Sequence, residues 1–242
     1  NMAGTVNFIA NFVDSYAARG LGANGVTTTV RYLYNTSGFL DESYTLKDKV
    51  TDTVIPAASV IQSLTKYSGD NEQKLKYTLN FTQDAQYSLR ASAAVLTTTV
   101  YSYAGQNLDW SVSVTGRQET ALTNANIVQS YTKYDITTSE QKLLFTWNMA
   151  GNVNYDAAAN YSAAQVASST VYSYLDQISN TQSQYLQASV NVRSKFTDTS
   201  LTTSTAIQSF TEYDGSPDQK LKYTLNMAGT VNFIANFVDS YA

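Results

Sequence analysis

Lys220-Leu221-Lys222-Tyr223-Thr224-Leu225-Asn226-Met227 alternates without a break: every odd-numbered residue is apolar and every even one polar. A period of two held over eight residues puts all apolar side chains on one side of an extended chain, whereas a helix would repeat near 3.6. The stretch therefore predicts a half-buried β-strand. Lys74 to Phe81 reads the same way, with Leu75, Tyr77, Leu79 and Phe81 on one side. So do Leu143, Phe145, Trp147 and Met149 against Lys142, Thr146 and Asn148, although Leu144 interrupts the polar face. Ala150-Gly151 and Ala228-Gly229 follow two of these strands, and Val153/Tyr155 and Val231/Phe233 then resume the alternation, which predicts a hairpin at each Ala-Gly. Trp110, Val112 and Val114, ending at Gly116, form a further strand face, as do Leu186, Ala188, Val190 and Val192. Asn24-Gly25 is a tight-turn dipeptide. Ala91–Leu96 and Ala157–Ala167 carry some helix propensity, but their Tyr, Thr and Ser flanks favour strand or irregular loop.

The strands belong to repeats. Gln62-Ser-Leu-Thr-Lys-Tyr67 returns as Gln129-Ser-Tyr-Thr-Lys-Tyr134 and Gln208-Ser-Phe-Thr-Glu-Tyr213, each followed by Gln-Lys-Leu beginning at Gln73, Gln141 and Gln219. Between them lie Thr29–Tyr34, Thr99–Tyr103 and Thr170–Tyr174, a second kind of Tyr-marked segment. The organisation expected is the end of one subrepeat and a linking segment over 1–60, subrepeats at 61–127 and 128–206, and the start of a third at 207–242. Above this lies an exact repetition. Residues 1–17, NMAGTVNFIANFVDSYA, recur letter for letter as residues 226–242. The simplest reading is one period plus an overlap from an array whose unit spans residues 1–225. An engineered or recent duplication leaves the same mark.

Composition narrows the function. Only 14% of residues are charged and Tyr is used 19 times, with Ser, Thr, Asn and Gln abundant. This suits uncharged, exposed sheet surfaces. The net charge of −4 offers no basic field for nucleic acid, so nucleic-acid partners are not expected. The chain has no Cys and no His, which removes thiolates, the usual zinc sites and His general bases. No apolar run is long enough for a transmembrane helix. A membrane barrel would share the alternation and the Tyr content, but a closed barrel fits poorly with identical residues at both ends.

Few motifs point to chemistry. Asp41-Glu42 and Asp214-Gly-Ser-Pro-Asp218 are the nearest to a calcium site, but the latter reads as a turn and neither matches an EF-hand. Lys74/Lys76 and Lys220/Lys222 sit on wet strand faces, where they keep a sheet soluble or grip an acidic neighbour. Tyr101 and Tyr172 are candidates for stacking on sugar rings, against the plainer expectation of cross-strand packing. Asn35-Thr-Ser37, Asn80-Phe-Thr82 and Asn160-Tyr-Ser162 are glycosylation triplets. No catalytic, cofactor or metal residue is assigned, and no enzyme activity is expected.

The Tyr segments resemble YD (RHS-type) repeats, which carry Tyr-x-Tyr-Asp, a short Gly turn, a Leu, and a Gly eight residues later. Tyr32-Leu-Tyr34-Asn35-Thr-Ser-Gly38-Phe-Leu40 matches the first half. Tyr134-Asp135 and Tyr213-Asp214 supply the dipeptide, and Leu108/Gly116, Leu143/Gly151 and Leu221/Gly229 keep the spacing. Tyr67, Tyr103 and Tyr174 mark the remaining segments, where the Asp is replaced by Ser68, Ala104 and Leu175. The resemblance implies an all-β chain of consecutive antiparallel hairpins in an open spiral or solenoid-like sheet of tandem subrepeats. With the exact repeat it leads to an expected structural filament or sheath, extracellular or on the cell surface. Its expected partners are neighbouring copies of the same repeat, with lateral self-association. The alternatives are an adhesin stalk that binds glycans through its Tyr faces, and a YD-type shell enclosing a toxin.

Overall fold

The computed structural model describes residues 28–47, 50, 54–137, 140–176, 181–197 and 205–232. The recurring segment 1–17, the Asn24-Gly25 turn and residues 233–242 lie outside them. The chain is all-β, with consecutive antiparallel strands in an open sheet that does not close into a barrel among the described residues. In order the strands are β1 (Thr28–Tyr34), β2 (Leu40–Lys47), β3 (Val60–Tyr67), β4 (Leu75–Gln86), β5 (Val95–Ala104), β6 (Asn107–Thr115) and β7 (Ile127–Tyr134). There follow β8 (Leu143–Asn154), β9 (Val166–Ser173), β10 (Leu175–Asp176), β11 (Thr181–Gln182), β12 (Ala188–Val192), β13 (Ala206–Tyr213) and β14 (Leu221–Asn232). Of the two Ala-rich stretches, Ala91–Leu96 is irregular until it enters β5 at Val95, and Ala157–Ala167 is loop with one 3-10 turn at Ala163–Gln165 before it enters β9 at Val166, in line with the expected strand or irregular loop.

The fold divides into two compact units, Asn1–Val100 with Thr115–Ala121, and Tyr101–Val114 with Leu122–Ala242. Within the first the strand order is β1-β2-β3-β4-β5. Within the second it is β6-β7-β8-β9-β12-β13-β14, with β10 and β11 forming a separate two-stranded ribbon. Boundaries read from the sequence at 61, 128 and 207 fall one residue inside β3, β7 and β13.

These three strands carry the Gln-Ser-x-Thr block, and they pair with β4, β8 and β14 in one register. Leu64 faces Leu79, Tyr131 faces Trp147 and Phe210 faces Leu225. Alternation then sorts the faces. One side of the first unit buries Tyr44, Leu46, Ile61, Leu64, Leu79 and Phe81. The same positions in the second unit supply Val112, Val114, Val128, Tyr131 and Trp147, and then Val190, Val192, Ile207 and Phe210. Each subrepeat thus owns a core, built from the same strand positions with different side chains.

One expectation is corrected. Ala150-Gly151 does not turn a hairpin: residues on both sides of it belong to the continuous β8 and face the same partner, Val153 opposite Val128 and Asn148 opposite Ser130. The extra residues form a wide bulge, and Gly151 takes φ +70°, a left-handed conformation that costs glycine almost nothing. The strand bends out and returns to its partner. β14 does the same across Ala228-Gly229, where Val231 faces Ile207 and Asn226 faces Ser209. In β4, Ala85 and Asn80 straddle the bulge opposite Ile61 and Ser63 without any glycine.

Candidate functional site

The repeat-defining residues meet at the mouths of the hairpins. Tyr34 stands opposite Leu40, Tyr67 opposite Leu75, Tyr134 opposite Leu143 and Tyr213 opposite Leu221, each pair just past a register shift. Tyrosine ends one strand and leucine opens the next in four hairpins. Tyr103 and Leu108 flank the turn between β5 and β6, where Gly105 takes φ +61°. The Tyr174 hydroxyl accepts the Leu143 N–H at 3.1 Å, and the Lys142 ammonium lies 5.1 Å from its ring centre. Gly116 closes β6 at φ +77°, its N–H donating to the Leu96 carbonyl at 2.9 Å.

The loop in each long-strand hairpin is set by the block that follows it. Gln73, Gln141 and Gln219, the glutamines of the three Gln-Lys-Leu copies, all adopt left-handed backbone, with φ of 49°, 50° and 46°. The loops close through Ser68 N–H to Lys74 O at 2.7 Å, Asp135 N–H to Lys142 O at 2.7 Å and Asp214 N–H to Lys220 O at 2.9 Å. The Asp214 carboxylate accepts from the Ser216 N–H and hydroxyl and from the Lys220 N–H, so this acidic segment is a capped turn, as its Gly and Pro indicated. Asp135 accepts the N–H and hydroxyl of Thr137 at 2.8 and 2.6 Å. Ser216 hydrogen bonds hold the Asp214 carboxyl below the ordinary carboxylate range, and those from Thr137 do the same for Asp135.

The charged residue of each block is ion-paired. Lys66 reaches Asp41 at 2.9 Å and Glu42 at 3.2 Å, Lys133 pairs with Asp109, and Glu212 pairs with Lys222 at 2.7 Å. Burial alone would lower the Lys66 ammonium, but hydrogen bonds to Asp41 and Glu42 prevail and raise it. Lys74 and Lys220 pair with Glu72 and Asp218. Asp41-Glu42 is therefore committed to a lysine. Among the described residues no cluster of three acidic, His or Cys side chains is placed to hold a metal ion.

Threonines stitch the polar face. Thr65 and Thr78, Thr132 and Thr146, and Thr211 and Thr224 each place their hydroxyls 3.0 Å apart across the strand pair. Beside them the repeat tyrosines are anchored: the Tyr67 hydroxyl lies 3.3 Å from Ser43 Oγ, and that of Tyr134 hydrogen-bonds to Ser111. Burial raises the Tyr134 hydroxyl, and Tyr101 and Tyr172 stand close enough to add to the shift. All three rings are half-buried. Of the glycosylation triplets, Asn35 and Asn80 have committed amides, donating to Gly69 O at 2.6 Å and Thr97 Oγ1 at 3.1 Å, while Asn160 is exposed.

A set of hydroxyls inside the apolar face escaped the sequence reading. Thr98 and Ser169 are wholly buried. Thr98 Oγ1 donates to the Gly116 carbonyl at 2.6 Å and accepts the Gln118 N–H at 3.0 Å. Ser169 Oγ donates to the Ser194 carbonyl at 2.6 Å and accepts the Phe196 N–H at 2.9 Å. Thr29 Oγ1 accepts the Val50 N–H at 3.0 Å. The segments so pegged lie against the core: Arg117 rests over Phe81, Lys195 over Trp147, and Trp147 Nε1 donates to the Phe196 carbonyl at 2.6 Å. The available signal was a hydroxyl run before each Tyr segment, Thr28-Thr29, Thr97-Thr98-Thr99 and Ser168-Ser169-Thr170, where strict alternation calls for an apolar residue.

A shallow groove of about 450 Å³ is lined by Leu122, Thr123, Asn124, Asn154, Tyr155, Asp156 and Ala157. No helix among the described residues is long and apolar enough to cross a membrane. No family model matches the chain, and no curated protein matches it.

Proposed function

We propose that the chain is a structural repeat polypeptide that builds an extracellular or cell-surface filament or sheath. The observation that carries this reading is the coincidence of two periodicities. Three subrepeats share register, Thr–Thr bond and left-handed Gln, and the verbatim recurrence of residues 1–17 at 226–242 begins inside β14 of the third. Each subrepeat brings its own core, so stability accumulates along the chain as in other linear repeat proteins. The side chains are spent on turn caps, cross-strand bonds and ion pairs, which are the parts of a scaffold. The Tyr–Leu pairs at the hairpin mouths support kinship with YD-type repeats. Threonine and asparagine on the outer face suit lateral contact between chains.

Polypeptides of one, two and three 225-residue units test this by cryo-electron microscopy. Their contour length is expected to grow by a constant step per unit. Compact particles whose longest dimension does not grow would overturn it. The half-buried Tyr101 and Tyr172, both near enough to Tyr134 to raise its hydroxyl, support a second reading, an adhesin stalk that stacks sugars on these rings. Glycan-array binding abolished by Tyr101→Ala with Tyr172→Ala would support it.

A further inference from the structure

Two tyrosines leave the sheet in the same backbone setting, directly after the long strand of a hairpin. Val60 faces Gln86 and Ile127 faces Asn154, and the next residues are Tyr87 and Tyr155. The Tyr87 N–H donates to the Ser59 carbonyl at 2.8 Å, as the Tyr155 N–H does to that of Asn126. The turns that receive them agree as well, with Ser59 N–H donating to Pro56 O and Asn126 N–H to Thr123 O, each at 3.0 Å. The chain thus delivers a tyrosine to equivalent positions in the two units.

What meets the ring differs. In the first unit Arg90, three residues on, lays its guanidinium over Tyr87, with Cζ 4.3 Å from the ring centre. Its Nη1 donates to the Tyr87 carbonyl at 3.1 Å and its Nε to the Tyr44 hydroxyl at 3.0 Å, which in turn donates to the Glu42 carboxylate at 2.7 Å. Ring, acceptor oxygens and carboxylate together seat a planar cation. In the second unit the residue three on is Ala158, small and exposed. Trp110 stands 6.3 Å from the Tyr155 ring at a tilt, and no cation lies over that ring among the described residues. The surroundings still suit one. Asp156 lines the groove beside Tyr155, and its charge adds to burial in raising the Tyr155 hydroxyl. One Asp156 oxygen accepts the Ala158 N–H at 2.9 Å. Asp41, Glu42 and Asp109 are matched by lysines, but Asp156 meets no cation among the described residues. Asn124 and Asn154 are exposed along the same groove, and their side-chain amides make no hydrogen bond among the described residues.

We propose that this groove is a guanidinium site, which takes the arginine side chain of another polypeptide, stacked on Tyr155 and countered by Asp156. The amide oxygens of Asn124 and Asn154 accept guanidinium N–H groups that the carboxylate leaves over, since the fork carries five donors. Lysine fits less well, because an ammonium neither stacks flat nor spans a row of acceptors. The second unit receives from outside the group that the first supplies from its own loop. Arg193 of a second copy is one source, being exposed and without a partner among the described residues, whereas Arg90 and Arg117 are committed. An exposed arginine on a different protein offers the same chemistry. The inference holds whether or not the chain forms a filament.

NMR of the whole chain during titration with N-acetyl-arginine amide tests this. The Tyr155 and Asp156 signals are expected to move along a saturating curve, with a Kd on the order of millimolar for so small a probe. The citrulline counterpart, equal in shape but uncharged, should leave them in place, and the lysine counterpart should bind at least about threefold more weakly. Asp156→Asn should weaken arginine binding at least about fivefold. Ala158→Arg, which copies Arg90, should abolish it by filling the seat from within. Absence of saturable movement up to about 100 mM probe would overturn the proposal. So would an equal response to citrulline, undiminished binding in Ala158→Arg, or saturation of the same signals by methyl glucoside in place of arginine. Without probe, Tyr155 shifts that change on dilution and lose that change in Arg193→Ala identify a second copy as the source. Shifts that ignore dilution, with arginine still bound, assign the site to a different protein.

Discussion

Ser169 and Ser194 are joined by a 2.6 Å hydrogen bond from a wholly buried hydroxyl to a backbone carbonyl, and the same oxygen accepts the Phe196 N–H. One side chain thus satisfies two backbone groups of a segment that has left the sheet. Ser169→Ala strands both, and should destabilise the second unit by about 1–3 kcal/mol. Ser169→Thr should be nearly neutral, because Thr98 does the same work in the first unit. Urea midpoints of the two variants check this.

The left-handed glutamines are a cost the sequence carries at three places. At Gln141, φ of 50° disfavours any residue with a Cβ by about 1 kcal/mol or more. Gln141→Gly should therefore raise stability by about 0.5–1 kcal/mol after its larger unfolded-state entropy is subtracted. Gln141→Val should lower it by at least as much. Chemical denaturation of the two variants against the parent chain distinguishes them.

Trp147 stacks on Phe145 with ring centres 4.6 Å apart and on Tyr131 at 5.4 Å, and meets Tyr161 edge-on. Its indole nitrogen also holds the Phe196 carbonyl. Trp147→Ala should cost about 3–5 kcal/mol and free the 193–197 segment to exchange amide protons. Trp147→Leu, which copies Leu79 and Leu225, should cost less. Hydrogen exchange read residue by residue gives both results.

Acid and alkali should each weaken the fold, through different groups. Asp135 and Asp214 are held below the ordinary aspartate value by turn hydrogen bonds, so their contribution is present above about pH 4 and is lost as pH falls through their lower native values. Burial, aided by the Asp109 carboxylate, pushes the Tyr131 hydroxyl up to about 12. Its contribution is complete below the unfolded value near 10 and is lost as pH rises from there towards 12. Denaturation midpoints across pH should show both falls, and Asp135→Asn should flatten the acid one.

Alternation made the strands legible because burial on one face writes a period of two, and Phe145, Trp147, Leu225 and Met227 lie where it placed them. The Gln-Ser-x-Thr blocks gave register, since each recurs as one strand of a hairpin. The bulge at Gly151 was not legible. An Ala-Gly between two alternating runs looks the same whether the chain reverses or bends and continues, and only pairing to Val128 and Ser130 decides it. The pegs at Thr98 and Ser169 were hidden for a related reason. A hydroxyl at an inward position violates the pattern, and its meaning lies in backbone groups about 20 residues away that local sequence does not name.

The sign of the block's ion pair has one further effect. Lys66 and Lys133 meet acids contributed by the preceding strand, but at the same place the third copy carries Glu212 and finds its cation on Lys222. If β13 were to slot into the seat of β7 during folding, Glu212 would confront Asp109, and β7 in the seat of β13 would bring Lys133 against Lys222. In a polymer whose parts are otherwise nearly interchangeable, this reversal works as an address label that penalises the third piece and its neighbour for trading places.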